Sequence, residues 1–464
     1  MYLSNNAIAL GYLVAGVLII LSLNRLSHPA TARMGNAFAI AGMVIAIITT
    51  LLNPAVKSYG LIVAGIGFGG VIGTTMAYRL KMTAVPQLVA LLHSFVGLAA
   101  VLIAVGIYLG QADAGTLSST LMVEVAVASS IGAITFTGSL MAFGKLQALI
   151  STKPIRINGR HLLNLVLGGG ILFFAYSFLV QQNMMSLLLL IGFALALGVL
   201  LILPIGGPDM PVIISMLNSY SGWAAAATGF TLGNPLLIMT GALVGCSGAI
   251  LSYIMCRAMN RTLINVVLGG IGNSRVKIQD IYSTSDKPVQ AAAAEDAVFV
   301  MENARSVIIV PGYGMAVAQA QRAVKELVKG LEAKGVDVKF GIHPVAGRMP
   351  GHMNVLLAEA DISYDTVFAM EDINPEFANT DVVLVIGAND VTNPAAKEDP
   401  SSPIYGMPIL EVSRAQHTFF IKRSLRPGYS GVENQLFYKE NCSLIFGDAK
   451  DVCQKMANNL LMST

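Results

Sequence analysis

The stretch Ser306-Val-Ile-Ile-Val-Pro-Gly-Tyr-Gly-Met-Ala-Val317 joins a short apolar strand to a glycine-rich turn. A strand followed by such a turn and then by a helical pattern is typical of an α/β sheet whose glycines let the backbone approach the pyrophosphate of a dinucleotide. A glycine pattern by itself is weak evidence. Here Gly312, Gly314 and a small position near Val317 follow a strand and open a helix, and this context favours a dinucleotide site.

The residues after Ser306 keep alternating between short apolar runs and longer helical runs. This alternation predicts a doubly wound parallel sheet, a Rossmann-like fold, with its ligand at the carboxyl ends of the strands. The run Val382-Val-Leu-Val-Ile386 is apolar throughout, as in a strand covered on both faces. The predicted strands are 306–310, 336–342, 365–370, 381–386, 408–412, 417–422 and 443–446, and the predicted helices are 315–334 and 352–360.

The segment after the second predicted strand lacks the acidic residue that would hydrogen-bond the ribose 2′-hydroxyl of NAD. It reads Phe340-Gly-Ile-His-Pro-Val-Ala-Gly-Arg348 instead, which favours a ribose that carries a 2′-phosphate. Lys422 and Arg423, with the hydroxyl of Ser424, form a cationic group suited to that phosphate. Taken alone, the same pair is more typical of a solvated strand end.

The amino-terminal half has the composition of a membrane protein. The whole chain is 55% hydrophobic and 12% charged, whereas a soluble protein is about 25% charged. Residues 1–261 hold 11 of the 29 Lys and Arg residues and 3 of the 26 Asp and Glu residues. We therefore predict a transmembrane domain over 1–261, a linker over 262–305 with a short helix near 291–299, and a soluble nucleotide-binding domain over 306–464.

About 20 mostly apolar residues are needed for a helix to cross a hydrocarbon core of about 30 Å. This rule predicts spans at 7–23, 36–52, 58–77, 84–109, 121–144, 162–180, 184–203, 210–230 and 235–256. Lys and Arg residues cluster in the loops reached after odd-numbered helices, and Lys57 alone lies on the other side. Because basic loops mark the cytosolic side, we predict the amino terminus outside and the carboxy-terminal domain in the cytosol.

Glycines recur at four-residue spacing in two of the predicted spans. Gly65, Gly69 and Gly73 lie in one, and Gly241 and Gly245 lie in another. Small residues at this spacing allow helix backbones to approach closely in a membrane. We expect both sets to face neighbouring helices in a tight bundle.

Strongly polar groups inside the spans are rare, and this makes them candidates for function. His93 and Asn218 each lie about eight or nine residues into a helix that enters from the cytosolic side, about 12–13 Å deep. An imidazole can pass on a proton at physiological pH, and an amide can orient the ring. A histidine that makes one hydrogen bond for packing is the other interpretation. Asp209 precedes a proline-started helix, where Asp is usual as a cap.

The sequence also argues against several classes of protein. No basic stripe with interleaved aromatic residues supports nucleic-acid binding. Cysteine spacing indicates neither a metal site nor a disulfide framework. A single histidine in the predicted spans disfavours a haem- or quinone-linked oxidoreductase. A transporter or channel whose soluble domain only senses a dinucleotide stays open as an alternative.

Several runs resemble the beta subunit of proton-translocating NAD(P) transhydrogenase. In the soluble half they are Pro311-Gly-Tyr-Gly-Met-Ala-Val-Ala-Gln-Ala-Gln321, Gly341-Ile-His-Pro-Val-Ala-Gly-Arg348, Pro350-Gly-His-Met-Asn-Val355 and Ile386-Gly-Ala-Asn-Asp390. In the membrane half they are Leu92-His-Ser-Phe-Val-Gly97, Phe136-Thr-Gly-Ser139 and Met216-Leu-Asn-Ser-Tyr-Ser-Gly-Trp223. The resemblance covers nearly the whole chain.

The resemblance implies a Re/Si-specific enzyme that transfers hydride between NAD(H) on a partner alpha subunit and NADP(H) bound to this chain. Protons would cross the membrane during the reaction, and their inward flow would drive NADPH formation. The chain has no second nucleotide fingerprint, so it would be active only with the alpha subunit. The family suggests a dimer of alpha-beta units that spans the lipid bilayer of the bacterial inner membrane.

Matching positions carry the family's functional residues onto this sequence. Proton translocation and coupling would involve His93, Ser139, Asn218, Asp209 and Asp390. The implied NADP(H)-binding residues are Gly312, Tyr313, Gly314, Met315, Ala316, Val317, Val345, Ala346, Gly347, Arg348, Gly387, Ala388, Asn389, Asp390, Gly447 and Asp448, with Lys422, Arg423 and Ser424 at the 2′-phosphate and Gly428 and Tyr429 in a lid. No metal site is predicted.

Overall fold

The amino-terminal half of the described chain is helical, since apolar runs in a bilayer must satisfy their backbone hydrogen bonds internally. The computed structural model describes all residues except 1–3, 27–30, 55, 57, 81, 152–154, 156, 158, 207, 208, 268–288, 350, 403, 427–430, 463 and 464. Among the described residues the long helices are α1 (Asn5–Leu26), α2 (Ala32–Leu51), α3 (Tyr59–Arg79), α4 (Val85–Asp113), α5 (Ser119–Leu146), α6 (Arg160–Gln181), α7 (Met184–Ile202), α8 (Met210–Thr231) and α9 (Pro235–Ala258). Each overlaps one of the predicted spans.

Eight helices of the described chain, all of these except α8, are long and apolar enough to span a membrane. The middle of α8 is less apolar because it carries Ser215, Asn218, Ser219 and Ser221. This polar segment belongs to the run that carries the family resemblance. The protein is therefore a membrane protein with a helical bundle.

Glycine contacts bring two pairs of helices close together. A Cβ built on Gly97 of α4 would lie 2.6 Å from the carbonyl oxygen of Gly132 on α5. A Cβ on Gly241 of α9 would lie 2.4 Å from the backbone nitrogen of Ala226 on α8, and one on Gly245 would lie 3.1 Å from the Trp223 ring. The expectation that Gly241 and Gly245 face a neighbouring helix is confirmed.

The same expectation for α3 was wrong within the described chain. No heavy atom lies within 4 Å of a Cβ built on Gly65, Gly69 or Gly73, and α3 has no buried residue. Small residues permit close packing but do not by themselves hold a second helix in place.

The chain divides into two units, residues 1–204 with 216–250, and residues 205–215 with 251–464. The first unit contains most of the long helices, and the second contains a β-sheet. The domain boundaries predicted at residues 261 and 306 stay predictions. Most of the predicted linker, residues 268–288, lies outside the described residues.

One sheet of parallel strands forms the centre of the second unit. Its strands are β1 (Gln290–Ala291), β2 (Ser306–Pro311), β3 (Asp337–Ile342), β4 (Val367–Ala369), β5 (Val382–Ile386), β6 (His417–Lys422) and β7 (Cys442–Phe446). Their order across the sheet is β1-β7-β6-β5-β2-β3-β4. Apart from the short β1, this is the order of a doubly wound dinucleotide fold, and the direction of winding reverses between β2 and β5. The predicted fold, a helical membrane bundle followed by a Rossmann-like domain, is confirmed.

Shorter helices accompany the sheet. They are α10 (Leu263–Val267), α11 (Ala294–Glu302), α12 (Tyr313–Ala318), α13 (Gln321–Ala333), α14 (His352–Glu359), α15 (Met370–Ile373), α16 (Ala395–Glu398) and α17 (Ala449–Met462). The apolar face of α13 packs with α17 on one side of the sheet, where Val324, Leu327 and Leu460 are buried in one core cluster. This core packs α13 and α17 against one face of the sheet.

Two predicted elements of this domain differ from the structure. The predicted helix 315–334 is two helices, because Gln319 takes a left-handed conformation with φ 53° and the chain turns after α12. The predicted strand 408–412 was wrong. Pro408 has no N–H to donate to a ladder, and the N–H of Leu410 donates to the carbonyl oxygen of Val391 outside the sheet.

Candidate functional site

Three glycines bring two turns into contact at the carboxyl ends of β2 and β5. A Cβ on Gly312 would lie 2.4 Å from the Cα of Ala388, and one on Gly314 would lie 2.6 Å from the Cα of Gly387. Gly387 has φ 66°, in the left-handed region that favours glycine. We call Gly312, Gly314 and Gly387 the glycine crossing. Because these residues have no side chains, the backbone is accessible at the switch point of the sheet, where a pyrophosphate can approach.

A cleft of about 500 Å³ opens beside the glycine crossing. Many of the predicted cofactor residues line it: Gly312, Tyr313, Gly314, Val317, Val345, Ala346, Gly347, Arg348, Gly387, Ala388, Asn389, Asp390, Lys422, Arg423, Ser424, Gly447 and Asp448. The side chains of Met315 and Ala316 instead point into the apolar core beneath α12, where both are fully buried. The predicted lid residues Gly428 and Tyr429 lie outside the described residues.

The loop after β3 carries a buried histidine where an NAD site would have an acid. Nδ1 of His343 accepts a hydrogen bond from the N–H of Val345 at 3.2 Å. Nε2 therefore carries the proton and donates to the carbonyl oxygen of Pro408 at 2.8 Å, a tautomer assigned from the network. Burial lowers the pKa of His343 to about 4. This residue shapes the loop and adds no charge to the cleft at neutral pH.

Arg348 is held at the cleft by contacts on two sides. Its guanidinium carbon lies 4.4 Å from the centre of the Tyr313 ring, in cation–π distance. Its backbone N–H donates to Nδ1 of the buried His352 at 3.0 Å. A Cβ on Gly347, which has φ 112°, would lie 2.6 Å from the Cβ of His352. The loop is thus packed tightly on the start of α14, and it presents a cation beside the first turn of α12.

Lys422 ends β6 with its ammonium group in the cleft. Nζ donates to Oδ1 of Asn389 at 3.3 Å and lies 4.4 Å from the centre of the Phe437 ring. Burial lowers the pKa of Lys422 to about 8, although the negative charges of Asp390 and Glu433 act in the opposite direction. A desolvated ammonium of this kind gains stability from an anionic ligand.

The residues after Lys422 complete a polar group that we call the phosphate clamp, defined as Lys422, Arg423 and Ser424. Arg423 and Ser424 are exposed and line the cleft. Arg426 also lines it and was not predicted. The signal was present in the sequence, since Arg426 is the third basic residue within 422–426. Three basic side chains at one strand end can hold a doubly charged phosphate.

His93 lies in the bundle beside a polar turn of α8. Nδ1 of His93 and Oγ of Ser221 are 2.9 Å apart, and the same hydroxyl donates to the carbonyl oxygen of Asn218 at 2.8 Å. Because the hydroxyl hydrogen of Ser221 points to the carbonyl oxygen of Asn218, its oxygen accepts the Nδ1–H of His93, a tautomer assigned from the network. Nε2 is buried and has no hydrogen-bond partner among the described residues. Ser221 was not predicted, although it follows Asn218 by three residues on one helix face.

Ser139 and Asp209, the other predicted proton residues of the amino-terminal half, have different surroundings. Ser139 is fully buried on α5, and its Oγ has no partner among the described residues. Asp209 comes just before α8, and its Oδ2 accepts a hydrogen bond from Nη1 of Arg261 at 3.0 Å. Lys145, which was not predicted, is fully buried at the end of α5 and donates to the carbonyl oxygen of Leu203 at 2.5 Å.

Comparison with known proteins decides the family. The family model described as NAD(P) transhydrogenase beta subunit matches residues 8–459. The chain belongs to this family. It is also similar to two curated relatives named NAD(P) transhydrogenase subunit beta, one from Rhodospirillum rubrum and one from a named strain of that species. Each is 56% identical over 450 residues, which cover 96% of this chain and 97% of the relative.

Membership of the transhydrogenase beta subunit family has three direct consequences. It implies an oxidoreductase activity, and it implies nicotinamide nucleotides as cofactors. It also implies an alpha subunit as the partner, since the family is named for a beta subunit. The resemblance inferred from the sequence is confirmed.

Proposed function

We propose that this chain is the NADP(H)-binding subunit of a proton-pumping, Re/Si-specific transhydrogenase. It acts with an alpha subunit that holds NAD(H), and hydride transfer between the two nucleotides is coupled to proton movement across the membrane. The observation that carries the proposal is the phosphate clamp at the carboxyl end of β6, because a 2′-phosphate is the group that distinguishes NADP(H) from NAD(H).

The residues of the cleft fit NADP(H). The glycine crossing leaves room for a pyrophosphate where a Cβ would collide with backbone. Lys422 and Arg423 offer positive charge to a 2′-phosphate, and Arg348 adds a cation to the lining of the same cleft. The end of β3 carries His343, which is neutral and already hydrogen-bonded, so no carboxylate there repels the phosphate.

The hydride step needs no acid, base or nucleophile from this chain. Bound NADP(H) would supply the hydride chemistry through its nicotinamide. The protein's own groups bind, orient and exclude water, which is where the rate gain of such a step arises. The buried core beneath α12 and the close backbone contact at the glycine crossing support that positioning.

His93 is the proposed proton carrier in the bundle. Ser221 holds the Nδ1–H of His93, and this leaves the lone pair of Nε2 to accept a proton. The carbonyl oxygen of Asn218 orients the hydroxyl, so a change at α8 alters the imidazole directly. Ser139, Asp209 and Asp390 are proposed to continue or couple this proton movement.

Coupling is proposed to work as a two-state equilibrium. Proton occupancy at His93 would bias the soluble domain between a state that exchanges NADP(H) and a state that holds it, and each site would shift the other. The proposal also includes a lid over the cofactor at Gly428 and Tyr429. It places the protein in the bacterial inner membrane, with the amino terminus outside and the soluble domain in the cytosol. The proposed assembly is a dimer of alpha-beta units.

The test uses the purified chain with its alpha subunit in sealed lipid vesicles. NADPH is mixed with an oxidised NAD analogue, and reduction of the analogue and internal pH are followed together. Reduction with a simultaneous pH change supports the proposal. Binding of NADPH without reduction would instead indicate a transporter or channel with a nucleotide-sensing domain. A visible absorption band in the purified complex would point to a haem-linked oxidoreductase.

A further inference from the structure

Asn389 lies between the phosphate clamp and Asp390 and touches both. Its Oδ1 accepts from Nζ of Lys422 at 3.3 Å, and its Nδ2 donates to Oδ1 of Asp390 at 3.0 Å. The orientation of the amide follows from these partners. A flipped amide would place its NH₂ group against the ammonium and its oxygen against the carboxylate, and both contacts would be repulsive.

The backbone at Asn389 is fixed from several directions. Its carbonyl oxygen accepts from Nδ2 of Asn434 at 3.0 Å and from Oγ1 of Thr392 at 3.1 Å. The preceding Ala388 is pressed against Gly312. A ligand in the cleft therefore acts on the Asn389 side chain, whereas the backbone stays in place.

Lys422 is the contact that an anion can move. A phosphate oxygen accepts a charge-assisted hydrogen bond in which both partners are ionised, whereas the Asn389 amide is neutral, so an ammonium prefers the phosphate. Once the ammonium has turned to an anion, Oδ1 of Asn389 loses one of the two partners that fix the amide. The hydrogen bond from Nδ2 to Asp390 can then change its length and angle, and the carboxylate of Asp390 senses that change.

We propose that Asn389 is a positioning residue that relays occupancy of the phosphate clamp to the carboxylate of Asp390. The relay rests on the proposed function for the identity of the ligand, a dinucleotide with a 2′-phosphate. A dinucleotide without that phosphate leaves Lys422 on Asn389, and Asp390 keeps its partner. Asp390 therefore responds to a dinucleotide with a 2′-phosphate and does not respond to a dinucleotide without one.

The experiment is a triple-mutant cycle on the full chain in complex with its alpha subunit. NADP⁺ affinity is measured by calorimetry for wild type, Lys422→Met, Asp390→Asn and their combination, with and without Asn389→Ala. The charge of Asp390 also acts on Lys422 directly, so a smaller deviation from additivity should remain without Asn389. The relay predicts that the effects of Lys422→Met and Asp390→Asn deviate from additivity by about tenfold when Asn389 is present, and by at most about threefold with Asn389→Ala. Additivity in both backgrounds, or equal deviation in both, overturns the relay.

Further variants separate the relay from a loss of structure. Asn389→Leu removes both the oxygen for Lys422 and the donor to Asp390, and it adds no charge. It should reduce the deviation from additivity to the level of Asn389→Ala, and it replaces that variant if Asn389→Ala does not fold. Asn441→Ala is the matched control, since Nδ2 of Asn441 donates to the carbonyl oxygens of Ser413 and Ala415, away from the cleft. With Asn441→Ala the deviation should persist, and its disappearance would mean that the cycle reports general damage and that the relay is wrong.

NAD⁺ provides the second arm of the test. The affinity for NAD⁺ should change by less than about twofold with Asn389→Ala, because NAD⁺ has no 2′-phosphate to draw Lys422 away from Asn389. If Asn389→Ala lowers the affinity for NAD⁺ as much as the affinity for NADP⁺, the relay is contradicted. If wild type binds NAD⁺ and NADP⁺ equally, the proposed function fails as well. If wild type prefers NADP⁺ and the cycle is independent of Asn389, the relay fails alone.

Discussion

Gly312 and Ala388 approach so closely that a Cβ on Gly312 would lie 2.4 Å from the Cα of Ala388. The neighbour is backbone, which cannot yield as the end of a flexible side chain can. This contact joins the turn after β2 to the turn after β5. The cleft exists in its present form because no side chain occupies that junction.

Gly312→Ala should therefore separate the two turns. We expect the NADP⁺ affinity of the complex to fall by more than about tenfold and the free energy of unfolding to fall by about 1–3 kcal/mol, as for other overpacked sites. Calorimetric titration and thermal unfolding measure the two effects. Gly330→Ala is the control, since a Cβ there meets only side-chain atoms of Leu460 at 3.2 Å or more and alanine favours its helix. Unchanged NADP⁺ affinity in Gly312→Ala would show that the crossing does not shape the site.

The affinity for NADP⁺ should depend on pH through Lys422. Its pKa in the cleft is about 8, and the protonated form is the one that attracts a phosphate. A 2′-phosphate is doubly charged well below that pH. The NADP⁺ affinity should thus be highest below pH 8 and decrease, by up to about tenfold per pH unit, as pH rises above 8. Calorimetry between pH 7 and pH 10 measures this decrease.

Lys422→Arg is the matched variant for that pH dependence, because a guanidinium stays protonated across the whole range. Its NADP⁺ affinity should show little decrease between pH 8 and pH 10. NAD⁺ binding to wild type should likewise change little. A decrease of equal size in wild type and in Lys422→Arg would assign the titration to another group.

Replacement of His93 by alanine should uncouple proton movement from turnover. In vesicles, we expect the pH change per hydride transferred to fall by more than about tenfold, because the proposed proton acceptor is lost. NADP⁺ affinity should be retained, since the cleft does not contain His93. Fluorescent pH dyes and nucleotide absorbance, recorded together, measure the ratio.

Two hydroxyl variants on α8 show whether the His93 contact matters. Ser221→Ala removes the acceptor of the Nδ1–H and should reduce pumping, though less than His93→Ala does. Thr228→Ala removes a hydroxyl that bonds to the carbonyl oxygen of Ala224 within the same helix, and it should leave pumping unchanged. Normal pumping in His93→Ala would exclude the proposed proton carrier.

The stability of the sheet domain should decrease in acid because of two buried histidines. Burial lowers the pKa of His343 and of His352 to about 4, and the charge of Arg348 contributes at His352. Below pH 6.5 the unfolded chain binds protons that the folded chain does not, so stability falls from about pH 6.5 to about pH 4. Each residue accounts for up to about 3 kcal/mol over that range.

Hydrogen exchange of the full-length protein between pH 7 and pH 4.5 measures this loss in the sheet strands, after correction for the intrinsic exchange rates. His352→Gln should remove roughly half of the pH-dependent loss while reducing stability at pH 7. A pH dependence that is the same in wild type and in His352→Gln would show that this histidine does not become charged on unfolding.

The sequence was sufficient for the fold class and for many residues of the cleft. Apolar length alone located the long helices, since a bilayer imposes a minimum span on any helix that crosses it. Strand, glycine turn and helix come in the order that a doubly wound sheet requires, so the local pattern alone places Gly312 and Gly314 at the end of a strand. Arg426 could have been placed by the same reasoning, as a third cation at the end of β6.

Contacts between residues far apart in the chain could not be predicted from the sequence. Nothing near His93 in the sequence indicates that Ser221, 128 positions away, holds its Nδ1. The glycines of α3 and α9 have the same spacing, yet only those of α9 have a neighbouring helix in the described chain. Local pattern determined which elements form and what each can contact. Tertiary structure alone decided which contacts are made, such as Asn389 between Lys422 and Asp390, because hydrogen bonds depend on distances that only packing sets.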